Sequence, residues 1–126
     1  MDKAKEINEW IYLAKQDLDT AMYLQSMHPI PVEIICFHCQ QSAEKYLKAF
    51  LISRNSIIKK THNLETLLIE CMKYSEKFID LKMPCIRLSG YSVEIRYPYR
   101  IELDESMMKL ALSDAKAVQE FALKMI

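Results

Sequence analysis

Thirteen consecutive residues, Phe37 to Ala49, hold most of the side chains in this sequence that can do chemistry. On a helix turning about 100° per residue, Cys36, Cys39, Ala43, Tyr46, Leu47 and Phe50 share one arc. The opposite arc carries His38, Gln41, Glu44, Lys45 and Lys48, with Phe37 among them. Amides can read a base edge and amines can neutralise phosphate. An exposed Phe amid such groups points to a contact surface. The plainer reading is a solvated face with Glu44 and Lys48 as an i,i+4 pair.

Two further pieces add to this cluster. His62 follows Thr61 at a helix start, where it can donate to an anion or tie the loop to the body of the protein. Arg96-Tyr97-Pro98-Tyr99 offers a guanidinium for phosphate and rings for a base face, in a segment stiffened by proline. Its alternative is that Arg96 pairs with Glu94 or Glu44 while Tyr97 packs on the helices. Lys59-Lys60 reads as a solvated turn. Cys36-x-x-Cys39 has chelating spacing, but zinc needs further ligands, and both thiols lie on the apolar arc. They are expected in the core, and neither metal nor cofactor is expected.

These groups are positioned by helices. A first helix spans about Lys3 to Ser26, with Ile7, Ile11, Ala14, Leu18 and Met22 at helical spacing. Pro29 and Pro31 end it, and Pro31 can open a second helix running to about Arg54. Thr61 or Asn63 can cap a third, with Leu64, Leu67, Leu68 and Cys71 as its stripe. A shorter segment, about Phe78 to Tyr91, is interrupted by Pro84. Ser92 to Leu103 reads as a loop. Asp104 caps a last helix through Leu110, Ala111, Val118 and Phe121, in which Asp114 is a polar interruption expected at the edge. The result is an all-α, up-and-down bundle of four or five helices, one domain over residues 1–126.

Composition agrees. Seventeen basic residues balance seventeen acidic ones, so no global field attracts nucleic acid or an anionic membrane. A single glycine argues against an all-β fold and its many tight turns. No signal peptide and no apolar run of about 18 residues is seen, and free thiols fit a reducing cytoplasm.

Phe37-His38-x-Gln40-Gln41-Ser42-x-Glu44-Lys45-x-Leu47-Lys48-Ala49, then Thr61-His62-x-Leu64-x-x-Leu67, then Arg96-Tyr97-Pro98 together resemble the HEPN family. The first helix, with Trp10, Ala14, Asp17, Leu18, Ala21 and Leu24, is similar to that family's opening. The resemblance implies a four- or five-helix bundle, a homodimer and a link to nucleotides. Many members act with a minimal nucleotidyltransferase as a toxin–antitoxin pair. A large branch are metal-independent RNases using Arg-x(4–6)-His near the last helix. Here the histidines are His28, His38 and His62, and none follows Arg87, Arg96 or Arg100. The family's way of activating a ribose hydroxyl is therefore missing from its expected place.

Two readings follow. One is a homodimeric binding protein without catalysis of its own, taking a nucleotide or a nucleotidyltransferase partner. Its ligand contacts are Gln41, Lys45, Lys48, His62, Arg96 and Tyr97, and its dimer contacts Phe37, Gln41 and Glu44. The other is a ribonuclease acting on RNA through a non-standard site, His62 or His38 with Arg96.

Overall fold

The computed structural model describes residues 2–58, 60–91 and 102–126. These residues form α1 (Lys3–Leu24), α2 (Val32–Ser53), α3 (Leu64–Met72), a 3-10 helix (Glu76–Leu81), α4 (Lys82–Ser89) and α5 (Glu105–Met125). No strand occurs among the described residues, and the all-α bundle expected from the sequence is the fold observed. No helix among them is long and apolar enough to cross a membrane. Arg96, Tyr97, their neighbours through residue 101 and Lys59 lie outside the described residues.

The helix ends follow local chemistry. Asp2 accepts from the Ala4 amide, Asn63 from the amides of Glu65 and Thr66, and Asp104 from that of Met107. Each cap satisfies a donor that the first turn leaves without a partner. Asn63 rather than Thr61 caps α3, while the Thr61 hydroxyl accepts from the Asn63 amide. Pro31 precedes α2 instead of opening it. After α2 the chain turns through Asn55 at φ 60°, a left-handed position that asparagine tolerates. Pro84 does not interrupt its segment. It falls in the first turn of α4, where a missing N–H breaks no helical bond.

Helix α2 is the axis of the bundle. α1, α3 and α5 all pack on it, and 14 of its 22 residues are buried, so it has no broad solvent face. Ala14, Ala21 and Ala43 let α1 approach closely enough for the Ser42 hydroxyl to donate to the Ala14 carbonyl at 2.8 Å. Towards the other end, Phe50, Phe78 and Phe121 pack in sequence, the first pair tilted and the second edge-to-face, with ring centres 4.4 and 4.8 Å apart. Arg54 lies over Phe50 and donates to the Met125 carbonyl, which ties the ends of α2 and α5 together. Met108 is core, and Met107 packs half-buried against it.

Asp114 is the clearest departure from the expected pattern. It is buried instead of lying at the edge, because Arg87 on α4 reaches it with two hydrogen bonds of 2.9 and 2.8 Å. A bidentate guanidinium makes a buried carboxylate tolerable. Arg87→Leu is expected to destabilise the protein by about 2–3 kcal/mol, since it strands the Asp114 charge. Arg87→Leu/Asp114→Leu is expected to recover part of that loss. Urea midpoints of the two variants decide it, and equal midpoints would show that the pair carries no such penalty.

Candidate functional site

Two carboxylates organise the polar residues of α2. Asp17, on α1, accepts from His38 Nδ1 at 2.9 Å and from Lys45 Nζ. Residues 38 and 45 lie two turns apart on one side of α2, so a single carboxylate between them engages both. On the α3 side, Glu44 accepts from Lys48 Nζ at 2.8 Å and from His62 Nδ1 at 2.9 Å. Each carboxylate therefore holds one histidine and one lysine.

Neighbouring groups fix the second cluster further. Gln41 Nε2 donates to Gln40 Oε1 at 2.7 Å. Gln40 Nε2 donates to the His62 carbonyl at 3.0 Å and lies 3.4 Å from Glu44 Oε1. Lys48 Nζ also sits 5.6 Å from the centre of the Trp10 ring, a favourable place for a cation. The buried ammonium thus has a carboxylate on one side and a ring face on another.

The geometry corrects the expected arc. Glu44 and Lys48 are buried, their side chains 5% and 9% exposed, whereas the helical wheel places them in solvent. The wheel marks where apolar residues cluster but not how many helices cover α2. With α1 on one side and the entry to α3 on the other, the middle of α2 keeps only a strip of Phe37, His38, Gln41 and Lys45 half-buried, the rest of that stretch being buried. Phe37 is thus partly enclosed, with its ring edge-on to His38 at 5.6 Å between centres. His62, by contrast, keeps 77% of its side chain exposed. The structure gathers Glu44, Lys48 and His62 on the α3 side, with Gln41 joined to them through Gln40, and sets Lys45 with Asp17 on the α1 side, while Arg96 and Tyr97 fall outside the described residues.

Asp17 and Gln40 are the organising residues that the sequence reading leaves without a role of their own. Asp17 sits one position from Leu18 in an apolar stripe, and a carboxylate beside such a stripe signals a partner on the next helix. Gln40 follows the cysteine at the edge of the buried arc, where an amide needs hydrogen bonds to be tolerated.

Electrostatically the strip is balanced. The two ammonium groups face two carboxylates of the same chain, so an incoming phosphate competes with Asp17 and Glu44 for them. A carboxylate paired with an ammonium only accepts, so both His38 and His62 present Nδ1–H to it. In the neutral ring, Nε2 is then the acceptor, which on exposed His62 is open to a ligand. The cysteines lie elsewhere. All four are buried, and burial pushes their thiols up, Cys36 to about 11 and Cys85 to about 12, so they are protonated at neutral pH. Among the described residues, no group of three or more His, Cys, Asp and Glu has the placement to hold a metal ion.

An all-α bundle with a central helix carrying this strip defines the class. The HEPN domain family model matches residues 7–126, nearly the whole chain, and the chain belongs to the HEPN family. Its fold is similar to the crystal structure of an archaeal HEPN homologue, with a TM-score of 0.74 and 24% sequence identity. That match covers 94% of this chain and 95% of the other. No curated protein matches the chain significantly.

The Asp17 cluster has a pH signature. Burial favours the neutral acid, but the hydrogen bonds from His38 and Lys45 and the Lys45 charge outweigh it and hold the carboxyl below the usual aspartate range. Between that depressed value and the unfolded value of about 3.9, the unfolded chain binds more protons. The contribution of Asp17 is therefore complete above about pH 4 and is lost as pH falls towards the folded value. Asp17→Asn is expected to lower stability at neutral pH and to flatten the acid limb. Urea midpoints measured from pH 7 downward test this, and an unchanged slope in the variant rules it out.

Proposed function

We propose that this chain is a cytoplasmic, homodimeric HEPN binding protein without catalysis of its own, recognising a nucleotide or a minimal nucleotidyltransferase partner in a toxin–antitoxin type system. The observation that carries this reading is the pair of carboxylate hubs. His38, Lys45, Lys48 and His62 are all held in place by Asp17 and Glu44 of the same chain. A rigid, charge-balanced strip suits recognition through directed hydrogen bonds, because its groups lose little freedom when a ligand arrives. Gln41, Lys45 and His62 offer ligand contacts at the surface, and Arg96 and Tyr97 are proposed as contacts on their side-chain chemistry alone. Lys48 acts from beneath with Glu44, which it fixes. Phe37 and Gln41 are the surface contacts to a second copy, with Glu44 holding the residues around them.

One observation favours the ribonuclease reading. Glu44 orients His62 through Nδ1 and leaves Nε2 free on an exposed ring, which is how a carboxylate prepares a histidine for general base work. Against it stands the missing Arg-x(4–6)-His spacing.

A thermal-shift series with nucleoside mono-, di- and triphosphates in EDTA, run beside an RNA cleavage assay, separates the two. A ligand at about 100 times its Kd adds roughly 2.7 kcal/mol to the stability of the native state. The binding reading expects a rise in midpoint with one nucleotide class, about ten-fold weaker binding in Gln41→Ala and Arg96→Ala, and intact RNA. EDTA-resistant RNA cleavage lost in His62→Ala would replace it with the ribonuclease. Absence of any shift would remove the nucleotide, leaving co-purification with a nucleotidyltransferase to test the partner.

A further inference from the structure

His62 is held more firmly than an exposed side chain requires. Its ring is 77% exposed, yet Nδ1 lies 2.9 Å from Oε1 of Glu44, whose side chain is only 5% exposed. The backbone carbonyl of His62 accepts from buried Gln40. Glu44 is itself fixed by Lys48 Nζ at 2.8 Å, and Lys48 lies over the Trp10 ring. A chain of contacts thus runs from the interior, through Lys48 and Glu44, to one imidazole in water. Burying an ammonium and a carboxylate is costly, so the pair is a poor device for stability alone. What it fixes is direction. With Nδ1–H on Glu44, the lone pair of Nε2 is the one open acceptor of the neutral ring. The other two histidines each lack half of this arrangement. His28 is exposed but makes no ion pair among the described residues. His38 bonds to Asp17 through Nδ1, but its side chain is only 26% exposed.

We propose that His62 is a site of covalent modification, its Nε2 accepting a phosphoryl group. The nitrogen lone pair attacks phosphorus, a P–N bond forms, and the donor's leaving group departs with the electron pair of the bond that breaks. With phosphoramidate protonated at nitrogen as the donor, that group is ammonia. No proton has to leave the ring. Nδ1–H stays on Glu44, and the positive charge that the imidazole gains faces a carboxylate already in hydrogen-bond contact. His28 has no such counter-charge. A carboxylate-held imidazole also suits general base work, but a base needs a hydroxyl positioned beside it, whereas a nucleophile needs only access. The added group makes a charge-balanced surface net negative, so modification changes what that surface binds. This chemistry depends on Glu44 and His62 alone, and nucleotide binding can fail without removing it.

Phosphoramidate in mildly alkaline buffer tests this on the full chain. Peptide mass spectrometry follows the label at each histidine, and phosphorus NMR separates the Nδ1 and Nε2 products. His62 is expected to be labelled about ten-fold faster than His28, and at Nε2 alone. His38 is expected to react more slowly than His62, because its ring is mostly enclosed. Glu44→Gln, checked for folding by circular dichroism, is expected to bring His62 down to the rate of His28 and to divide its label between the two nitrogens. The rate at His28 in the same sample should not move, which separates orientation of His62 from a general loosening of the chain. Equal rates at His28 and His62 in the wild type, or a wild-type label divided between the ring nitrogens, overturns the proposal. So does a folded Glu44→Gln that keeps both the rate and the Nε2 site. If that variant does not fold, the comparison of the three wild-type histidines decides.

Discussion

A helix enclosed by three neighbours has little access to water, so its polar side chains must find partners within the protein. That constraint governs α2. Ser42 meets it with a backbone carbonyl of α1, Gln40 with the carbonyl of His62, and Glu44 and Lys48 with each other. The bonds of Ser42 and Gln40 also link α2 to another part of the chain, and Glu44 does so through His62. The polar groups of the central helix therefore fix how α1 and the entry to α3 sit against it, beyond what apolar packing alone specifies.

The same bonds shape the surface strip. Asp17 pulls His38 and Lys45 towards α1, while Glu44 pulls His62 over the start of α3. What remains in water is narrow and already organised. Orientation comes from two carboxylates, Glu44 buried and Asp17 half-buried, which hold the more exposed groups in register. Breaking one partner of such a cluster disturbs more than one contact, since each carboxylate serves two cations or rings.

Helix number, order and caps were legible in the sequence because they are local. Asp104 and Asn63 announce helix starts, and the spacing of Leu64, Leu67, Leu68 and Cys71 announces a buried stripe. The burial of Glu44, Lys48 and Asp114 was not legible. Helical periodicity places residues around an axis without saying how many neighbours surround it. Asp17 needed His38 and Lys45, 21 and 28 positions away, to acquire its meaning. Pro84 was misread for a related reason: its effect depends on which turn it occupies, and that turn is set by the 3-10 helix before it.

The four enclosed cysteines turn the core into its own reporter. An alkylating reagent needs both access and a thiolate, and burial denies it each. Labelling therefore waits for the chain to open. Cys36 and Cys39 sit on the central helix, whereas Cys71 and Cys85 sit on α3 and α4. Their relative rates of modification divide cooperative unfolding of the whole bundle from partial release of its short helices, read at single residues and without any added probe.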